Sequence, residues 1–587
     1  MPDIQNPNQE PGTERRLLLV FALTFLVIIA FQPLLKKYGP QPAAPAPQAQ
    51  QQVQPGPAAA APSPVAAPAA PAAGTRQASA ETETVIENNL YRVTFTNRGA
   101  QVKSWVLKKF DDEERKPLDL VSPVTAEKFG YPLSLWTYDE TLRNRLSSAL
   151  YVSSNVGNLS APAQLTFEYS APDLSVRKTI SFDSRYLLHV ETEVQMNGNW
   201  VTALPVWPAG FIDKTAGRFN RGVSSISLTH ANLIEYQLGS SIERLASKKI
   251  SGGATLPGPF AWAGVSDQYF AAVFLPDDPA SVSMVTLHNG LEVPKDAQDP
   301  NSHDTVKVDI LGAAVGNPHG PTIERMYVGP KELAVLENVS VPAISGASPD
   351  LRGLVDFGWL GLISRPLFLW LKWTYNHIVP NWGWAIVLQT LIIALAMLPL
   401  RISQMKSMLK MQRVAPQIKS IQEKYKKYSM RDPRKAPMNE EVAALYKKEG
   451  VNPAGGCLPM LIQMPFLFAY YRMLGVALDL RHAQWLWIHD LSARDPYFLL
   501  PIFLVISMFL TQRMTPQGAM DPSQQKMMNW MMPAMMGFIF FNLAAGLNLY
   551  YAESNLIGII QQSIMNRTTL GREMREMMEK RARKKDK

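Results

Sequence analysis

The stretch GLNLYYAESNLIGIIQQSIM, residues 546–565, is apolar enough for a lipid interior yet carries Glu553 near its middle. An ionisable side chain costs a few kcal/mol in a lipid-embedded helix even on lenient scales, so it faces a partner, the protein interior or a wet cavity. One other charge lies well inside an apolar run: Arg472, in MPFLFAYYRMLGVALDL. At a helical rise of about 1.5 Å per residue, Glu553 lies roughly 10 Å and Arg472 roughly 9 Å from the same face. Gln389 falls at that level too, and Asn548 sits one turn above Glu553. Equal depth predicts that Arg472 and Glu553 pair across a polar cavity with Gln389 beside them. A purely structural ion pair locking two helices fits the same spacing.

Other chemistry is poorly supported. All eight histidines lie outside the five apolar segments after residue 381, which excludes a Ser/His dyad or a His-held metal within them. No Gly-x-x-x-x-Gly-Lys phosphate loop occurs. Cys457 is the single cysteine, so neither an internal disulfide nor a Cys-cluster metal site can form. The expectation is therefore no catalytic residue, no metal and no cofactor: a protein that binds and passes something, not an enzyme.

The elements that position these residues follow from hydropathy. A hydrophobic fraction of 47% with a mean hydropathy of −0.07 averages two unlike halves. Segments at about 382–400, 457–478, 497–513, 529–545 and 546–566 are each candidate membrane spans, the last two joined so tightly at NLAAGLN that they must run antiparallel. Residues 401–449 hold thirteen Lys/Arg against five Asp/Glu, and the tail 567–587 nine against four, which assigns both to the cytoplasmic side. Counting crossings backward places the domain 81–345 outside and makes residues 17–35, within an N-terminal anchor 1–38, a sixth span with both termini cytoplasmic. A cleaved signal peptide is the alternative for that run. The Pro/Ala/Gln segment 39–80 reads as a semi-extended linker.

Between 81 and 345, β-branched and aromatic alternation broken by Asn-Arg-Gly, Asn-Gly-Asn and Pro-Asp-Asp turns predicts an all-β sandwich. Trp200, Trp207, Trp262 and Tyr269 could line a sugar groove, but with no acid pair in view core packing is the stronger reading. Residues 350–380 are aromatic, apolar and interrupted by Arg365, Pro366 and Lys372, as suits an amphipathic helix lying in the interface. The segment 401–449 reads as a helical hairpin broken at MRDPRKAP, with Lys406, Lys410, Arg413, Lys424, Lys426 and Lys427 on its first arm and turn. Its charge suits an RNA-rich or anionic-lipid surface, although a topology anchor is the simpler role.

NWGWAIVLQTLIIALAMLPLR, LYKKEGVNPAGGCLPMLIQMPFLFAYYRML, LWIHDLSARDPYFLLPI, DPSQQKMMNWMMP and GLNLYYAESNLIGIIQQ together closely resemble the YidC membrane protein insertases, densely over about 350–567. The layout resembles the Gram-negative form, which implies a polytopic α-helical protein of six spans: a five-helix insertase core at 381–566 and a periplasmic β-supersandwich at 81–345. The resemblance implies residence in the bacterial inner membrane and insertion of nascent membrane proteins, alone or with the Sec translocon, through a hydrophilic groove open to cytoplasm and lipid. It further implies a client-recruiting hairpin, a ribosome contact through the basic tail and cytoplasmic loops, lipid contacts, no DNA partner, and a client-facing wall containing Tyr550 and Tyr551. One position departs from the family. Where the first core span usually carries an arginine, this sequence has Ala394. Arg472 then becomes the candidate groove charge, Glu553 its counter-charge, and Gln463 the nearest polar group at the vacated level. A transporter or channel built on an intramembrane Arg/Glu site is the runner-up, weakened by the lack of paired inverted repeats. A carbohydrate-processing β domain ranks third.

Overall fold

The computed structural model describes residues 75–112, 114–211, 232–294, 305–342, 344, 349–425, 436–451, 458–514, 522–569, 571–573 and 576. The expected anchor 1–38, the linker up to residue 74, Lys426, Lys427, the side chain of Gln463 and the end of the tail lie outside the described residues. The described chain falls into two compact units, one ending at Asp356 and one beginning at Phe357.

The first unit is built of strands whose alternation is visible in the sequence. In YRVTFT, Tyr91, Val93 and Phe95 point inward while Arg92 is exposed. A large, antiparallel sheet runs through strands 241–245, 233–238, 262–266, 270–276, 322–330, 187–196, 174–182, 163–170 and 152–153 in that spatial order. Two five-stranded sheets complete the unit. One runs 117–119, 101–111, 91–96, 83–87 and 157–160; the other 255–257, 283–294, 305–316, 204–207 and 135–136. The sheets meet at aromatic contacts: Trp105 of the first small sheet packs on Phe182 of the large sheet and, with centroids 6.1 Å apart, on Trp207 of the second small sheet. Trp207, Trp262 and Tyr269 are buried and only Trp200 is exposed, so three of the four aromatics belong to the core.

Two short helices interrupt the β pattern: α1 (Pro123–Phe129) and α2 (Glu140–Ser148), with α3 (Leu333–Leu336) a single turn near the end. The Asp139 carboxylate caps α2 by accepting from the backbone N–H groups of Thr141 and Leu142. The unit also runs past the expected boundary at 345. Ser340 and Asp350 form a bridge, and Arg244 donates to the carbonyl of Gly353 at 2.7 Å.

Several charges are fully buried in this unit. The ammonium of Lys178 donates to the carbonyls of Ala100 and Leu133 at 2.8 and 2.5 Å, tying the large sheet to the segments facing it. Burial pulls its pKa down to about 7. Glu324 is also buried, on the same face of the large sheet, and its carboxyl is raised well above the usual carboxylate range by desolvation, with Asp277 adding to the effect.

The second unit is helical: α4 (Gly361–His377), α5 (Trp382–Ala396), α6 (Leu398–Lys424), α7 (Ala436–Lys448), α8 (Leu458–Val476), α9 (Leu499–Met514), α10 (Pro522–Phe540) and α11 (Ala545–Arg567). Among the described residues no single helix is long and apolar enough to cross a membrane; α5 with the start of α6 passes that test as a pair bent by 48°. Pro399 sits at the first turn of α6, where its missing N–H breaks the ladder between the two helices. The tight connection before α11 is held from outside, because Ala545 and Gly546 donate their N–H groups to the carbonyls of Ala493 and Leu491. α6 and α7 form a hairpin closed by Val414, Ile418 and Val451, with Met411, Val442, Leu445 and Tyr446 packed around them.

Candidate functional site

α11 presents Tyr550, Ser554, Gly558 and Gln561 at spacings of four, four and three, which places them on one face of the helix. That face looks toward α5 and the start of α6. Between the helices lies a cavity of about 50 Å³, room for a few waters. α5 and α6 line it with Thr390, Ala394, Met397, Leu400 and Arg401; α8 contributes Phe466; α11 contributes Tyr550 and Ser554.

Arg401 is the cation of this cavity. Its Nη1 donates to Oε1 of Gln561 at 2.8 Å, and the Gln561 amide nitrogen reaches the carbonyl of Ala394 at 3.4 Å. Arginine has no acceptor, so it fixes which end of the Gln561 amide faces it and leaves the nitrogen to donate elsewhere. Gly558 makes room. A Cβ there would stand 3.1 Å from the guanidinium, tighter than ordinary packing.

Gln389 and Tyr470 back the upper end of the site. The buried Gln389 amide donates to the carbonyl of Leu367 at 3.0 Å and accepts from the Tyr470 hydroxyl at 2.5 Å. The Tyr470 ring stacks on Tyr550 at 4.0 Å, and Tyr551 meets Phe540 edge-on at 4.7 Å. Asn548 is buried and donates to the carbonyls of Phe540 and Leu543, closing the turn between α10 and α11. These contacts make Gln389 and Asn548 parts of the frame around the cavity; Tyr550 is part of its wall.

The pair expected from equal depth is absent. Among the described residues Glu553 makes no ion pair; its carboxyl sits beside the Thr390 hydroxyl of α5, and Oε2 is buried without a hydrogen-bond partner. Arg472 instead lies beside Gly358, where an added Cβ would stand 2.9 Å from its Nε. Helical rise gives depth but not azimuth, and successive residues turn by about 100°, so two charges at one level face different neighbours.

Sequence reading missed Arg401, Gln561, Thr390 and Ser554. Arg401 counts toward the positive balance of the cytoplasmic segment, yet it is the first residue after MLPL and only seven after Ala394. The signal for its partner was the polar and small stripe on α11, legible as a period but not as a site until α5 was laid against it. The hairpin cations divide similarly: Lys424 pairs with Glu441 at 2.8 Å and Arg413 with Glu573 at 2.6 Å. Lys406 and Lys410 are exposed on α6.

A helical unit with a half-buried arginine on the wall of a cavity, joined in sequence to a large β domain, defines a class of two-part protein in which the helices carry the site. Residues 373–572 match the model of the 60Kd inner membrane protein family, and residues 83–370 match that of the YidC periplasmic domain. Similar curated proteins include the membrane protein insertase YidC of Syntrophus aciditrophicus, 31% identical over 83% of this chain and 85% of that one. The insertase YidC of Wolinella succinogenes is 32% identical over 78% of this chain and 76% of that one. A solved active YidC insertase with its first transmembrane domain resolved is 18% identical, with a TM-score of 0.34 over 84% of this chain and 94% of that chain. The chain belongs to the YidC family of membrane protein insertases.

Proposed function

We propose that the chain inserts and folds inner-membrane proteins by taking a polar segment of the client into the cavity between α5, α8 and α11. The observation that carries this reading is the Arg401–Gln561 contact on the wall of a cavity with room for a few waters inside an apolar helical unit. A polar segment pays a desolvation cost of several kcal/mol on entering lipid alone; a wet cavity with a fixed cation lowers that cost, and burial of the client's apolar span drives the remainder. Arg401 takes the part that the family's arginine plays at the position of Ala394, two turns further toward the cytoplasm.

In this reading the chain lies in the bacterial inner membrane with six spans, both termini cytoplasmic and the β unit periplasmic. The α6–α7 hairpin, through Lys406, Lys410, Arg413 and Lys424, recruits clients, and the basic tail and cytoplasmic loops meet the ribosome. The Sec translocon is a partner for larger clients, and α4 lies along the lipid surface through exposed Leu362, Leu369 and Trp373. Tyr551 borders the client path, and Asn548 holds the turn that frames it. The positive balance of 401–449 and the amphipathic order of α4 support these placements. The transporter alternative loses its basis with the Arg472–Glu553 pair.

The test is complementation. A Gram-negative host depleted of its own insertase is supplied with this chain or with Arg401→Ala, and insertion of a small Sec-independent single-span protein is followed by protease protection. Rescue by the chain and loss with Arg401→Ala is the expected result. Equal rescue by both would remove Arg401 from the mechanism.

A further inference from the structure

We propose that Glu553 and Thr390 form an anionic subsite, distinct from Arg401, that receives a cationic group of the client: a lysine or arginine side chain, or the α-ammonium of an N-terminus being carried across. This rests on the groove reading above and deepens it. Thr390 belongs both to the cavity wall and to the surroundings of Glu553, so the carboxyl sits at the edge of the same space. Its Oε2 is buried and bonded to no protein group among the described residues.

Thr390 alone cannot satisfy this carboxylate. A threonine hydroxyl carries one proton, and the Thr390 hydroxyl already donates to the carbonyl of Ile386 at 2.7 Å. The Tyr470 hydroxyl, the other donor close by, is used on Gln389 at 2.5 Å. An ionised carboxylate here is therefore short of donors, and a client cation with two or three N–H groups supplies what the protein leaves out. Glu553 and Gln561 are eight residues apart on α11, so the carboxyl and the Arg401 contact are separated by about 12 Å along the helix axis. The cation thus lines the cavity on the cytoplasmic side, and the acid stands deeper, beside Thr390 at its edge. A positively charged group is the most costly part of a translocated tail, and a carboxylate near mid-path gives it an intermediate resting place.

The experiment uses the full chain in proteoliposomes and two single-span clients identical except for one residue of the short translocated tail, lysine in one and glutamine in the other. With Glu553→Gln, insertion of the lysine client is expected to fall at least threefold relative to the glutamine client, and Glu553→Asp is expected to restore most of the difference. An unchanged lysine-to-glutamine ratio overturns the subsite. Loss of the glutamine client in the unsubstituted chain would instead count against the insertase reading. If Glu553→Gln fails to fold, zero-length carbodiimide coupling of the lysine client to the unsubstituted chain decides. A cross-linked peptide containing Glu553 supports the subsite, and coupling confined to other carboxylates overturns it.

Discussion

At the scale of residues, the site depends on one guanidinium and the space left for it. Removing a charge-assisted hydrogen bond costs about 1.5–3 kcal/mol, so Arg401→Ala is expected to lower insertion by on the order of tenfold or more, with Gln561→Leu somewhat milder. Arg401→Lys retains the charge without the planar fork and should fall between. Gly558→Leu provides a steric version of the same test: it fills the space against the guanidinium without altering any charge, and insertion should drop while the thermal midpoint of the helical unit moves little. The pair Ala394→Arg with Arg401→Ala, which moves the charge two turns back onto α5, should recover part of the activity. The sequence announced that charges lay inside apolar helices and at what depth. It did not tell which neighbours they faced, because partner choice depends on the rotation of α5 against α11, a tertiary quantity that no single-helix period contains.

At the scale of elements, the α6–α7 hairpin separates two kinds of contact. Ile418 is buried with Val414 and Val451, whereas the Lys424–Glu441 bridge is largely in solvent. Ile418→Ala is expected to destabilise the hairpin by about 2 kcal/mol or more, and Glu441→Ala far less, because its ion pair is screened by solvent. Hydrogen exchange of the α7 amides would separate them. The hairpin was readable from its two prolines and its apolar spacing. So was the β unit, since the inward positions of YRVTFT and LLHVETEVQM alternate as a sheet requires. α1 and α2 were not anticipated, because helices of two turns carry too few periods to stand out from strand-like surroundings; only the Asp139 cap of α2 marked its start.

At the scale of the whole molecule, the two units have separate cores, and a change in one should move one unfolding transition and leave the other in place. The buried charges of the β unit make this testable by pH. Lys178 has a folded pKa near 7 against 10.5 for an ordinary lysine, so between those values the unfolded chain holds a proton that the folded chain lacks, and stability rises with pH across that window. Lys178→Met should flatten that rise. Glu324 has the opposite sign: the folded chain keeps a proton that the unfolded chain releases above about 4.5, so its contribution declines as pH climbs from there, and Glu324→Gln should remove the decline. Tryptophan fluorescence of the full chain, followed through the β-unit transition at several pH values, measures both. The break between α5 and α6, just ahead of Pro399, has a mechanical consequence. The 27 residues of α6 extend about 40 Å from the break, and Arg401 lies only about 6 Å along that arm. Treated as a rigid lever with its fulcrum at the break, α6 gears motion down nearly sevenfold: a swing of about 7 Å at the hairpin end displaces the guanidinium's anchor point by only about 1 Å. The far end can sweep widely while the charge stays on station.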